Sequence, residues 1–114
     1  MTRWRVRIEY DGGPYVGWQR QKNGPSIQQS IEEAVFRFCG EHTRVYGAGR
    51  TDAGVHAMGQ VAHIDIERPT TADTVRDAIN AHLRDEPISI VEAVAAAEGF
   101  HARISARERV YLYR

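Results

Sequence analysis

Arg3-Trp4-Arg5-Val6-Arg7-Ile8 alternates basic and apolar residues without a break. That period of two predicts a strand with Trp4, Val6 and Ile8 on one face and three arginines on the other. Asp11-Gly12-Gly13-Pro14 breaks it, and a loop rich in glycine and aromatic residues runs on to Gly24-Pro25. Ser26 followed by Gln29 reads as a capping box opening a helix. Its apolar stripe is Ile27, Ile31, Ala34, Val35 and Phe38, and Gly40 ends it. Thr43 to Tyr46 is a short strand candidate stopped by Gly47-Ala48-Gly49, and Gln60 to Ile66 alternates again, with Val61, Ile64 and Ile66 among its apolar members. Thr70 or Thr71 can cap a second helix over 72–83, with Val75, Ala78, Ile79 and Leu83 inward. Ile88 to Ala95 is a third apolar strand, and Arg109 to Tyr113 alternates once more.

In chain order these elements are β-α-β-β-α-β plus an extra strand. The pattern predicts an α+β fold: a ferredoxin-like split β-α-β sandwich, an antiparallel sheet with two helices on one face. The 114 residues suit a single domain, 1–114. The strand-like pattern runs to the last residue, so the sequence is expected to be the front part of a longer protein.

The formal net charge is zero, which excludes a uniformly basic nucleic-acid glove, but the charge is unevenly spread. Residues 1–22 and 101–114 are each net +3, and 23–100 is net −6. Fourteen of the fifteen basic residues are Arg, a bias that suits phosphates and bases and equally fits a GC-rich coding sequence. The lone Cys39 excludes an internal disulfide, and no Cys/His zinc spacing is present. No apolar run approaches a membrane span or a signal-peptide core, which points to a reduced, cytoplasmic, soluble protein.

Candidate chemistry concentrates in Gly47-Ala48-Gly49-Arg50-Thr51-Asp52-Ala53-Gly54-Val55-His56-Ala57. Its glycines allow tight turning and close approach to a ligand. Arg50, Thr51 and Asp52 set a cation, a hydroxyl and a carboxylate side by side, a sensible mount for a catalytic acid between two strands. The residues equally fit a surface hairpin in which Asp52 makes an Asx-turn. A phosphate site is weak because no phosphate-loop spacing is present. A metal site from Asp52, His56 and His63 matches no established ligand pattern, and no metal is expected. The loop from Tyr10 to Gln21 mixes aromatics, amides and a guanidinium, including Trp18, Gln19 and Arg20. That mixture suits unpaired RNA bases, or a loop pinned to the core by Trp18. Near the end, Tyr111 and Tyr113 share a strand face with Arg109.

Together, YDG..Y.GWQRQ at 10–21, SIQ at 26–28, GAGRTDAGVHA at 47–57, GQV at 59–61, FHAR at 100–103 and Y.Y at 111–113 resemble the tRNA pseudouridine synthase A family. The resemblance implies isomerisation of uridine to pseudouridine in the anticodon stem-loop of tRNA, without metal or organic cofactor. It implies that Asp52 is the catalytic aspartate, that Arg50 and Thr51 help hold a flipped nucleotide, and that Tyr111 stacks on the target base. Arg103 and Arg109 become phosphate or structural partners, as do the arginines of the first strand, and Gln19 and Arg20 become RNA or dimer-loop contacts. Family members are about twice this length, act as homodimers, and complete the cleft with a second, related domain that supplies a basic partner for the aspartate and an apolar wall for uracil. This chain departs from the family at Arg84-Asp85-Glu86, where a Leu-Pro turn is common, and at Val110, where polar residues are common. The competing expectations are a non-catalytic ferredoxin-like RNA-binding module and a structural dimerisation domain.

Overall fold

The central strand carries the alternation seen in the sequence directly into the architecture. In the computed structural model, which describes residues 1–15, 17–18, 24–48, 57–97 and 99–101, β1 spans Thr2–Tyr10. It buries Trp4, Val6, Ile8 and Tyr10 on one face. α1 (Ile27–Cys39) follows, then β2 (Val45–Gly47), β3 (Ala57–Ile66), α2 (Ala72–His82) and β4 (Ile88–Ala95). The sheet order is β2-β3-β1-β4, every pair antiparallel, which is the expected split β-α-β sandwich.

Local chemistry sets the helix ends. Ser26 Oγ accepts the Gln29 N–H at 3.1 Å and so caps α1. Only half of the capping box forms, because the Gln29 amide turns forward to Glu33 Oε1 at 3.3 Å. Gly40 closes the helix at φ +76°, with its N–H on the Phe36 carbonyl. Thr71, not Thr70, caps α2 by accepting from the Thr74 N–H. The core between helices and sheet takes Ile27, Ile31, Ala34 and Val35 from α1 and Val75 and Ile79 from α2, with Leu83 just beyond it.

Three expectations need adjustment. β3 begins at Ala57, three residues before the expected start, because its first residues pair with the far end of β1 (Tyr10↔Ala57). Its inward residues are Ala62, Ile64 and Ile66, so Val61 belongs to the other face with His63 and Asp65. β2 is shorter and later than expected. The extra strand at Arg109–Tyr113 lies outside the described residues. None of the described helices is long and apolar enough to cross a membrane.

Both edge strands have backbone groups held by side chains of the helices beneath. At β4, the Asn80 amide donates to the Ile90 carbonyl at 2.9 Å and accepts the Ile90 N–H at 2.7 Å. An occupied edge is a poorer template for unwanted pairing with another chain. Asn80→Ala removes both bonds and is expected to lower stability by about 1–2 kcal/mol. Denaturant titration of the variant against wild type measures the loss, and an unchanged midpoint would show that the bonds contribute nothing.

Candidate active site

The hairpin that carries the densest motif is anchored on both sides. β2 pairs with β3 through Val45↔Ile64, Tyr46↔His63 and Gly47↔Ala62, and the Ala48 N–H donates to the Val61 carbonyl at 2.7 Å. At its other end, Ala57 is already paired with β1. Residues 49–56, with Arg50, Thr51 and Asp52, connect these two anchors and lie outside the described residues. Gln19, Arg20, Arg103, Arg109 and Tyr111 also lie outside them. The structure describes the chain on either side of residues 19–20 and 50–52, and up to residue 101 before the others.

Two of those flanking parts meet at Gly47. A Cβ built there would come within 2.7 Å of Trp18 Cε2, with two further indole atoms inside 2.9 Å, so residue 47 has no room for a side chain. Trp18 is buried, and its ring centroid lies 6.0 Å from that of Tyr10. Its carbonyl accepts the Gln28 N–H at 2.9 Å, and the Gly17 carbonyl accepts the Ile27 N–H at 3.2 Å. The first loop is therefore fixed to the start of α1 and pressed against the base of the hairpin.

A second network secures the same loop. Tyr15 Oη and Ser30 Oγ both donate to Glu86 Oε1, at 3.1 and 2.7 Å, and the Asp11 N–H donates to the Pro87 carbonyl at 3.0 Å. Burial and the Glu86 carboxylate push the Tyr15 phenol up to about 12, so it stays a donor at any physiological pH. Glu86 belongs to the Arg84-Asp85-Glu86 triplet that follows α2.

The sheet face away from the helices carries a polar and aromatic layer. Tyr46 stacks on His63 at 4.8 Å, and the His101 ring meets His63 edge-on at 4.6 Å. Arg3 forms a two-pronged pair with Asp65, Nε–Oδ1 at 2.7 Å and Nη2–Oδ2 at 2.9 Å, and its Nη1 donates to the Phe100 carbonyl at 2.5 Å. The Arg3 guanidinium holds Asp65 below the usual carboxylate range. The chain at 100–101 thus crosses from β1 toward β2, with the His101 ring 5.7 Å from that of Tyr46. His63, weighed above as a remote metal ligand, belongs to this stack. Among the described residues no three His, Cys, Asp or Glu side chains group as a metal site.

The sequence profile of the tRNA pseudouridine synthase family matches residues 7–103, and the chain belongs to that family. Over all 114 residues it is 62% identical to tRNA pseudouridine synthase A of Rhodospirillum rubrum, covering 41% of that protein. It is 57% identical to the proteins of the same name in Parvibaculum lavamentivorans and Nitrobacter winogradskyi, covering 46% and 45% of them. The chain therefore spans less than half the length of these curated relatives.

Two outcomes test this framework. Gly47→Ala forces a methyl group into the indole and is expected to cost about 1–3 kcal/mol. Denaturant titration measures it, and a neutral result would mean that Trp18 does not close on the hairpin. The second concerns His63, which is fully buried. Burial, then the charges of Arg3 and His101, lower its pKa from 6.5 to about 4, with Asp65 opposing. Between those two values the unfolded chain takes up a proton that the native state refuses. Stability is thus complete above the upper value and falls as pH drops toward the lower, by at most about 3 kcal/mol. His63→Phe keeps an aromatic ring in the stack and should flatten this slope between pH 7 and 4.5. An identical slope in the variant would contradict the assignment.

Proposed function

We propose that this chain supplies the aspartate-bearing half of a tRNA pseudouridine synthase that acts on uridine in the anticodon stem-loop, with Asp52 as the reacting carboxylate. The reaction breaks the bond between the uracil nitrogen and the ribose, turns the base, and joins a ring carbon to the same ribose carbon. That ring carbon releases its proton, and the freed nitrogen takes one up. Atoms and electrons balance within one nucleoside, so the reading invokes no metal and no organic cofactor. A carboxylate serves this chemistry as a nucleophile toward ribose or uracil, or as the base that takes a sugar proton. A free aspartate, with a pKa near 3.9, is ionised and ready for either role at neutral pH.

The observation that carries this reading is that Trp18 packs on Gly47 while His101 lies beside the neighbouring Tyr46. The described chain leads directly from Trp18 into Gln19 and Arg20, from Ala48 into the Asp52 segment, and from His101 into Arg103, Arg109 and Tyr111. In this reading Arg50 and Thr51 hold the extruded nucleotide, and Tyr111 stacks on it to offset part of the stacking lost from the RNA. Gln19, Arg20, Arg103 and Arg109 contact the RNA backbone. The opposite wall of the cleft comes from the additional length that the relatives carry, and the active form is a cytoplasmic homodimer bound to tRNA.

Asp52→Ala in the full-length protein should abolish pseudouridine formation, measured on a tRNA transcript, while tRNA affinity stays within about threefold of wild type. Retained turnover would overturn the catalytic assignment. A wild type that binds tRNA but makes no pseudouridine would favour the non-catalytic RNA-binding module instead.

A further inference from the structure

We propose that Gln28 is a positioning residue, which together with Glu32 holds the outer edge of β2 and so sets how the Asp52 segment leaves the sheet. The inference rests on the functional reading above and adds to it a part for α1, which carries none of the candidate catalytic or RNA-binding residues.

Among the described residues β2 has three residues and pairs on one side, with β3. So short a ladder supplies few backbone bonds to hold its direction. On its other side, both backbone groups of Val45 are taken by α1. The Gln28 Nε2 donates to the Val45 carbonyl at 2.9 Å, and the Val45 N–H donates to Glu32 Oε2 at 2.9 Å. Gln28 and Glu32 lie one helical turn apart, so both side chains reach the same strand residue. Gln28 is itself buried, and its backbone N–H donates to the Trp18 carbonyl. One residue therefore bonds the first loop through its backbone and the hairpin strand through its side chain, two residues before the Gly47–Trp18 contact.

The donor requirement is specific. A carboxylate at position 28 would set one oxygen against the Val45 carbonyl, and an apolar side chain would leave that carbonyl without this donor. Asn80 provides the comparison inside the same fold. It grips Ile90 with a similar pair of bonds, but Ile90 lies near the start of β4, and the Asp52 segment does not leave from that strand. If edge-gripping mattered only for stability, losing either grip would have the same kind of effect.

The test uses the full-length protein and reads pseudouridine formation on a tRNA transcript, Tm, and hydrogen exchange at the Ala48 amide. Gln28→Met and Glu32→Leu should lower kcat about tenfold or more with KM within about twofold, since small displacements of a reacting group are costly. Ala48 exchange should quicken in both. Glu32→Gln keeps an acceptor for the Val45 N–H and should restore most of what Glu32→Leu loses. Asn80→Ala should lower Tm and leave kcat within about twofold. Gln28 and Glu32 variants with wild-type kcat, or with losses that only track Tm as in Asn80→Ala, would overturn the proposal. Should Gln28→Met fail to fold, the Glu32 pair decides it by the same criteria. If the wild type makes no pseudouridine, the catalytic reading fails instead, and Ala48 exchange alone decides whether the clamp holds the hairpin.

Discussion

The indole of Trp18 occupies the space that a side chain at residue 47 would fill, and the rest of the candidate site depends on that contact. That contact joins two connections that are distant in sequence. The first runs from β1 to α1 through glycines and two prolines, and the second crosses a hairpin whose first strand has three described residues. Pressing Trp18 against Gly47 gives the base of the hairpin a rigid wall. A buried aromatic ring provides a large contact area at low conformational cost, which makes it well suited to this task. The absence of a Cβ at residue 47 is what lets the ring come so close.

The two faces of the sheet divide the work. The helix-covered face holds the aliphatic core, and its burial provides the stability that lets the opposite end of the sheet carry loops. The free face replaces aliphatic packing with stacked rings and a guanidinium–carboxylate pair. There Arg3 and Asp65 secure the chain at Phe100, while Tyr46, His63 and His101 bring that chain beside the hairpin. A neutral, buried His63 lets three rings pack without adding charge next to Arg3. Both faces thus deliver a terminal segment of the motif set to the same edge of the sheet.

Much of this was legible in the sequence, for identifiable reasons. The alternation at Arg3–Ile8, the Ser26 cap and the Gly40 stop each act through local chemistry, and each appears where the pattern predicts it. The motif residues around Asp52 were legible through family resemblance, since composition and spacing alone fitted an ordinary hairpin equally well. Contacts between residues distant in sequence could not be read. Nothing local marks Gly47 as the partner of Trp18, Glu86 as the acceptor for Tyr15 and Ser30, or Gln28 as the donor to Val45. The early start of β3 was hidden for the same reason, because Ala57 becomes strand by pairing with Tyr10 and not through its own pattern.

Residue-resolved hydrogen exchange of a Trp18→Ala variant tests most directly whether this contact holds the base of the hairpin. The Ala48 amide, bonded to Val61 just beyond Gly47, is the reporter. With the indole gone, its exchange should accelerate about tenfold or more relative to amides between β1 and β4, which gauge the stability of the sheet itself. A uniform acceleration across all strands would contradict the account, because it would show that Trp18 is an ordinary core residue and that the hairpin base stands without it.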